Sequence, residues 1–272
     1  MTTNQAQREQ WNSDVRVRNW PKRERVTMTI TAPLIAKLAP QPGERVLDIG
    51  SGGGMAAIEA ARAVGAGGGV TGFDISAGLV RLATRRAADA SAANVRFISG
   101  DAQVDDMPGG PFDAVMSQFG VMFFADPVAA FRNIRRHVRP GGRMVFACWQ
   151  PAAKNAWFPM PVLAKYAPGP PAPAAGGGPP PGPFAFGDVA YVRGILTGAG
   201  FGDLRHEAIE HDVVVPEDSM YERDIFDAMR LDAPRAEEAW KDLMAFVAPM
   251  RIGDGQVRMR LAPQLFTARS EE

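Results

Sequence analysis

The run Val46-Leu47-Asp48-Ile49-Gly50-Ser51-Gly52-Gly53-Gly54 constrains this chain more than any other stretch. A short apolar segment ends there in a glycine cluster, followed at once by MAAIEAARAV (55–64), in which alanine and branched apolar residues recur at helical spacing. Strand, glycine turn and helix in that order open a βα unit. Glycines at 50, 52 and 54 can take φ > 0 and let the backbone approach a ligand at the carboxyl edge of the strand. Nicotinamide-binding sheets also carry glycines here, but they set a pyrophosphate on the helix N-terminus and follow G-x-G-x-x-G/A. Asp48 would repel a pyrophosphate and suits a ligand bearing an ammonium or a sulfonium.

The same alternation continues to about Trp149. RVLDI, VTGFDI, VRFIS, FDAVMSQF and RMVFACW read as five short strands buried on both faces, separated by amphipathic, alanine-rich helices. Ser76 caps the helix AGLVRLATRRAADA, and Pro127 starts the last crossover, which Pro140-Gly141-Gly142 stops. Two later segments, HEAIEHDVVV and QVRMRLAPQLFTAR, read as strands that complete the sheet, with Pro263 marking an irregularity or an edge. The expected fold is α/β, a doubly wound, Rossmann-like, seven-stranded and mostly parallel sheet. Four stretches are expected along it: a helical lid segment over residues 1–40, the ligand-binding core over 41–150, a Pro/Gly-rich loop over 151–187, and a completion of the sheet over 188–272. Within the last, residues 217–250 form a helical insertion rich in methionine and aromatic side chains, suited to an adaptable apolar wall over a substrate.

Landmarks on these elements resemble those of the class I S-adenosylmethionine-dependent methyltransferases. Their first motif is an acidic residue followed by G-x-G-x-G, met here by Asp48, Gly50, Gly52 and Gly54, with Ser51 between. Asp74, ending the second strand about 20 residues past the glycines, resembles the family's ribose ligand, and Ile75 would touch adenine. Gly100-Asp101-Ala102-Gln103 is similar to the adenine-binding turn, which gives Asp101 the exocyclic amine and Ala102 a backbone contact to the ring. Gln118 matches the position beside the methionine portion, and Arg139-Pro140-Gly141-Gly142 the turn before strand five. The resemblance covers the middle half of the chain and is nearest to quinone-type and other small-molecule methyltransferases. It implies S-adenosyl-L-methionine as cofactor and a small, apolar or aromatic methyl acceptor, with O-methylation ahead of C- or N-methylation. A protein that keeps the cofactor as a structural prop or a sensed metabolite, without transferring its methyl group, is the alternative, and a dehydrogenase a more distant one.

Other side chains have plainer readings. Cys148 lies inside an apolar strand, as small core residues do. His137 sits at a helix C-terminus, where the dipole favours it, and His206 and His211 flank the sixth strand as solvated residues. Their spacing and the single cysteine argue against a metal site. Phe119, Met122, Phe123, Trp149 and Trp157 lie at or beyond strand ends and are candidates for the acceptor pocket, while Trp11 and Trp20 either cover the cofactor or anchor the N-terminal helices. Thirty basic residues balance thirty acidic ones, so no positive field gathers nucleic acid or anionic lipid. The N-terminal MTTNQAQREQW is polar where a secretory signal needs an apolar run, which makes the cytoplasm the expected address. Nothing in the pattern separates a monomer from a homodimer.

Overall fold

The computed structural model describes residues 4–169 and 172–271, the side chains of residues 227 and 228 aside. Its N-terminal helices are α1 (Gln5–Trp11), α2 (Asp14–Thr27) and α3 (Thr31–Leu38). Ser13 begins α2, its hydroxyl accepting from the Arg16 amide. The core follows as β1 (Arg45–Ile49), α4 (Met55–Val64), β2 (Gly69–Asp74), α5 (Ala77–Asp89), β3 (Val95–Ser99), β4 (Phe112–Gln118), α6 (Pro127–Arg136) and β5 (Val138–Trp149). Ser76 and Asp126 cap α5 and α6 by accepting from Leu79 and Ala129 amides. Beyond the core come α7 (Met160–Tyr166), α8 (Val189–Gly198), β6 (Phe201–Ala208), β7 (His211–Pro216), α9 (Ala233–Val247), β8 (Arg251–Gly253), β9 (Gln256–Leu261) and β10 (Pro263–Ser270).

Seven strands form one sheet in the order β3-β2-β1-β4-β5-β10-β6, with β1 to β5 parallel and β10 antiparallel to both its neighbours. The central strands β1 and β4 are buried through almost their whole length, as both-face coverage by helices requires. The chain order reverses between β1 and β4, so their carboxyl ends diverge and leave a crevice there, the place where such sheets take ligands.

The structure departs from expectation in three places. The residues of HEAIEHDVVV and QVRMRLAPQLFTAR do not each form one strand of the main sheet. Each is broken, and β7 and β9 join β8 in a separate three-stranded antiparallel sheet. The ladder keeps its register across the break, from Ala208↔Gln264 to His211↔Leu261. Pro263 has no amide hydrogen to give, and the Ala262 amide turns aside to Asn155 Oδ1 at 3.0 Å. The strand expected to begin at Arg143 instead starts at Val138, because the Pro140-Gly141-Gly142 segment is accommodated as a bulge opposite β4. The stretch 151–187 contains α7, whose Pro161 falls in the first turn where its missing N–H costs nothing. Pro170 and Pro171 of the proline-rich run lie outside the described residues. The insertion expected over 217–250 holds one long helix, α9, preceded by short 3₁₀ turns at Glu217–Ser219 and Arg223–Met229. No helix among the described residues is long and apolar enough to cross a membrane.

Candidate active site

At the crevice between β1 and β4 lies a cavity of about 450 Å³. The glycine turn forms its floor. Gly50 and Ser51 amides both reach the Phe73 carbonyl at the end of β2, at 2.8 and 3.3 Å, which pins the turn against the neighbouring strand. Gly52 stands at φ +52, and an added Cβ would run into the indole of Trp20. The Gly52 amide instead donates to Asp74 Oδ2 at 2.8 Å, while the Ser76 amide donates to Oδ1 at 2.8 Å.

Of the expected cofactor-binding set, Asp48, Gly50, Ser51, Asp74, Ile75, Asp101, Ala102 and Gln118 line this one cavity. Gly52 and Gly54 do not: the first is covered by Trp20, and the second is the N-cap of α4. All five acceptor-pocket candidates, Phe119, Met122, Phe123, Trp149 and Trp157, lie on its wall, as do Trp11 and Trp20. The three histidines and Cys148 are elsewhere. His206 pairs with Gln264 and His211 with Thr29, while Cys148 is buried with its thiol toward the Phe186 carbonyl.

Electrostatically the floor is unusual. Asp48 is 1% exposed, and neither of its carboxylate oxygens has a hydrogen-bond partner among the described residues. Burial, with the charge of Asp74 adding to it, raises its proton affinity well above that of an ordinary carboxylate. Burial also pushes Asp74 up to about 6, against the lowering effect of its two amide donors. Asp101 is held by the Gln103 amide at 3.0 Å and by the Asn4 side chain at 3.4 Å. A buried carboxylate left bare at the end of a central strand is complemented by a cation entering the cavity, and the residues present fit a ligand that carries one.

These shifts carry a pH dependence with a definite sign. Asp74 binds its proton more tightly in the folded chain than in the unfolded one, so its effect on stability is most favourable below the ordinary carboxylate range. That advantage is lost as pH rises through about 6. The change amounts to about 3 kcal/mol for this residue. Thermal unfolding of the unliganded protein should therefore occur at higher temperature near pH 5 than near pH 8, once general acid unfolding is avoided. Equal midpoints at the two values would contradict the raised proton affinity.

The roof comes from α2, where Trp20 is joined by residues that sequence reasoning missed: Arg16, Arg23, Glu24 and Thr27 line the cavity from one face of the helix. Their helical spacing was visible in the sequence, but a face this polar reads as solvated. Glu24 is 7% exposed and accepts from Trp20 Nε1 at 3.2 Å and Arg86 Nη1 at 2.7 Å. The same Arg86 nitrogen also donates to the Gly53 carbonyl at 3.0 Å, tying roof to floor. Gln118 fixes the other end, donating to the Thr27 carbonyl at 3.0 Å and accepting from Thr31 Oγ1 at 2.9 Å.

The cavity's second half is apolar. Phe119 and Trp149 stack with centroids 4.3 Å apart, Trp157 meets Trp149 edge-on at 5.1 Å, and Phe158, Leu163, Met220, Ile225 and Met229 complete the wall. No described histidine, lysine, tyrosine or cysteine lines the cavity. A site with carboxylates at one end and an aromatic chamber at the other can align two ligands, and it holds no evident proton acceptor on the chamber side.

A family profile described as a methyltransferase domain matches residues 46–142. The chain is 31% identical over 194 residues to a nocamycin O-methyltransferase from Saccharothrix syringae, covering 65% of this chain and 66% of that protein. It is 34% identical over 108 residues to a demethylmenaquinone methyltransferase from Corynebacterium kroppenstedtii, covering 40% of this chain and 43% of that protein. Matches to three of the curated relatives span between 43% and 66% of those proteins' length. Among solved structures, a phosphoethanolamine N-methyltransferase from Haemonchus contortus in complex with S-adenosyl-L-methionine superposes with a TM-score of 0.60. It is 17% identical, and the match covers 100% of this chain and 60% of that one, a likeness of fold.

Proposed function

Because the chain belongs to the class I S-adenosylmethionine-dependent methyltransferases, we propose that it methylates a small aromatic acceptor of the quinone or polyketide type, on oxygen in preference to carbon or nitrogen. The observation that carries this reading is the bare, buried carboxylate of Asp48 in a cavity that Phe119, Trp149, Trp157 and Phe158 also wall. When bound, S-adenosyl-L-methionine supplies a methyl group already activated on sulfur, so the protein's work is placement and exclusion of water.

Asp48 complements positive charge on the cofactor. Asp74, with both oxygens oriented by backbone amides, accepts from ribose hydroxyls; Ile75, Asp101 and Ala102 meet the adenine; and Gln118, tied to Thr27 and Thr31, borders the methionine portion. Phe119 and Trp149 offer a flat apolar surface to a planar acceptor. The absence of a described base in the chamber favours acceptors that arrive nucleophilic, such as phenolates and hydroxyquinone anions, over those that need a difficult proton removal.

Calorimetric titration with S-adenosylmethionine, S-adenosylhomocysteine and NADH in parallel tests the reading without knowledge of the acceptor. Micromolar binding of the first two and none of the third is expected. Hydroxylated naphthoquinones and anthraquinones should then yield S-adenosylhomocysteine on incubation. Binding of NADH alone would overturn the assignment, and tight cofactor binding with no turnover across a broad panel of aromatic and non-aromatic acceptors would point to a protein that keeps its cofactor.

A further inference from the structure

We propose that Arg23 receives the carboxylate at the methionyl end of the cofactor while Asp224 holds it in place, so that one guanidinium links cofactor occupancy to the segment walling the acceptor chamber. This rests on reading the cavity as an S-adenosylmethionine site. Helix α2 lies along that cavity like a ruler. Near its N-terminal end Arg16 packs over Trp11, at 4.9 Å, and the Trp11 carbonyl takes the hydroxyl of Ser76 beside Asp74, at the nucleoside end. Farther along, Trp20 covers Gly52, and the Thr27 carbonyl binds Gln118. Arg16 to Thr27 spans about 16 Å of helix, and Arg23 falls between Trp20 and Thr27 on the same face, over the methionine half.

The ligand's amino-acid end is a zwitterion and needs both charges matched. Asp48 supplies the negative one. Arg16 and Arg23 are the cations among the described lining residues, and Arg16 is at the wrong end. Arg23 is also held in place. Its Nη2 lies 2.8 Å from Asp224 Oδ2, which accepts from Asn19 Nδ2 at 2.9 Å as well. The other carboxylate oxygen, Oδ1, is buried with no partner among the described residues, so Arg23 cannot swing away without stranding the charge of Asp224. This contact uses one of the guanidinium's five donors, and the fork can present others to a second carboxylate.

Asp224 sits in the 3₁₀ turn Arg223–Met229, and Met220, Ile225 and Met229 of this region face the acceptor. Because Arg23 and Asp224 are already paired, a carboxylate received by the same guanidinium adds a further tie to that pair and holds the acceptor wall more firmly when the cofactor is bound.

The test compares S-adenosylhomocysteine with 5′-methylthioadenosine, which keeps the nucleoside and thioether but lacks the amino-acid end. Arg23→Gln should weaken S-adenosylhomocysteine roughly 10- to 100-fold by calorimetry and leave 5′-methylthioadenosine unchanged. Arg23→Lys, which keeps the charge and the pairing with Asp224, should recover part of the loss and covers the case in which the glutamine variant folds poorly. In the parent, S-adenosylhomocysteine should slow amide exchange across residues 217–226 and 5′-methylthioadenosine should not. Equal weakening of both ligands, or of neither, in both variants overturns the proposal and leaves the cofactor site standing. Failure of the parent to bind either ligand overturns the cofactor reading and this proposal with it.

Discussion

Asp48→Asn should lose cofactor affinity by roughly 10- to 100-fold while the unliganded protein at pH 8 unfolds at the same temperature or a higher one. The opposite directions follow from one geometry. Without a ligand the carboxyl group is buried and unpartnered, 1% exposed, and burial together with the charge of Asp74 makes its ionised form costly. Making it neutral removes a repulsion and a desolvation cost, and so cannot weaken the fold by much. With a cationic ligand present the same charge is matched, and its removal strands the ligand's positive group in a low-dielectric site. S-adenosylmethionine, which carries a sulfonium in addition to its ammonium, should suffer at least as much as S-adenosylhomocysteine. Titration calorimetry on both ligands and thermal unfolding without ligand give the two readouts. A variant that binds as tightly as its parent would mean that Asp48 does not face the ligand's positive charge.

Gly50→Ala should be strongly destabilising. Gly50 stands at φ +67, and an added Cβ would lie 2.7 Å from the Cα of Gly120 and 3.5 Å from its carbonyl carbon. Both are backbone atoms of the segment leaving β4, and Gly50 belongs to the turn leaving β1, so relief requires β1 and β4 to part at their carboxyl ends. The left-handed φ alone costs about 1 kcal/mol for alanine, and the backbone collision should bring the total to roughly 3–5 kcal/mol, a fall in melting temperature on the order of 10 °C. Gly43→Ala is the control, since Gly43 has φ +86 with nothing within 4 Å of its added Cβ, and it isolates the conformational cost. Equal losses in the two variants would show that the approach of Gly50 to Gly120 does not limit the fold.

The βα core was legible because each of its elements carries its own local signal. The helix read over 55–64 and the strand read over 45–49 occur with those bounds, since a glycine or a charge change marks each end. Asp48, Gly50, Asp74, Asp101 and Gln118 converge because they lie at or just beyond the ends of parallel strands, and parallel strands end on the same edge of the sheet. Legibility failed where long-range geometry overrides local pattern. Within QVRMRLAPQLFTAR nothing except Pro263 announces that the halves belong to different sheets, and the turn is fixed by Asn155, more than a hundred residues away. The cavity face of α2 was missed for a related reason. Glu24 and Arg86 look like surface charges in sequence, and only their meeting over Gly53 buries Glu24 and makes them part of the site.

The bent ladder has a further consequence. Pro216 and Gln256 are paired across β7 and β9, so the excursion between them, which includes Met220, Ile225 and Met229, leaves and rejoins the scaffold at adjacent points. A loop whose ends already meet can be lengthened, shortened or rewritten cheaply, since closing it costs only about 0.6 kcal/mol for each doubling of length. Descendants of such a chain can exchange this excursion and reshape the apolar wall while Asp48, Asp74 and Asp101, anchored on other strands, keep their places at the cavity floor. Innovation in the wall and constancy in the floor are thus assigned to separate stretches of one polypeptide.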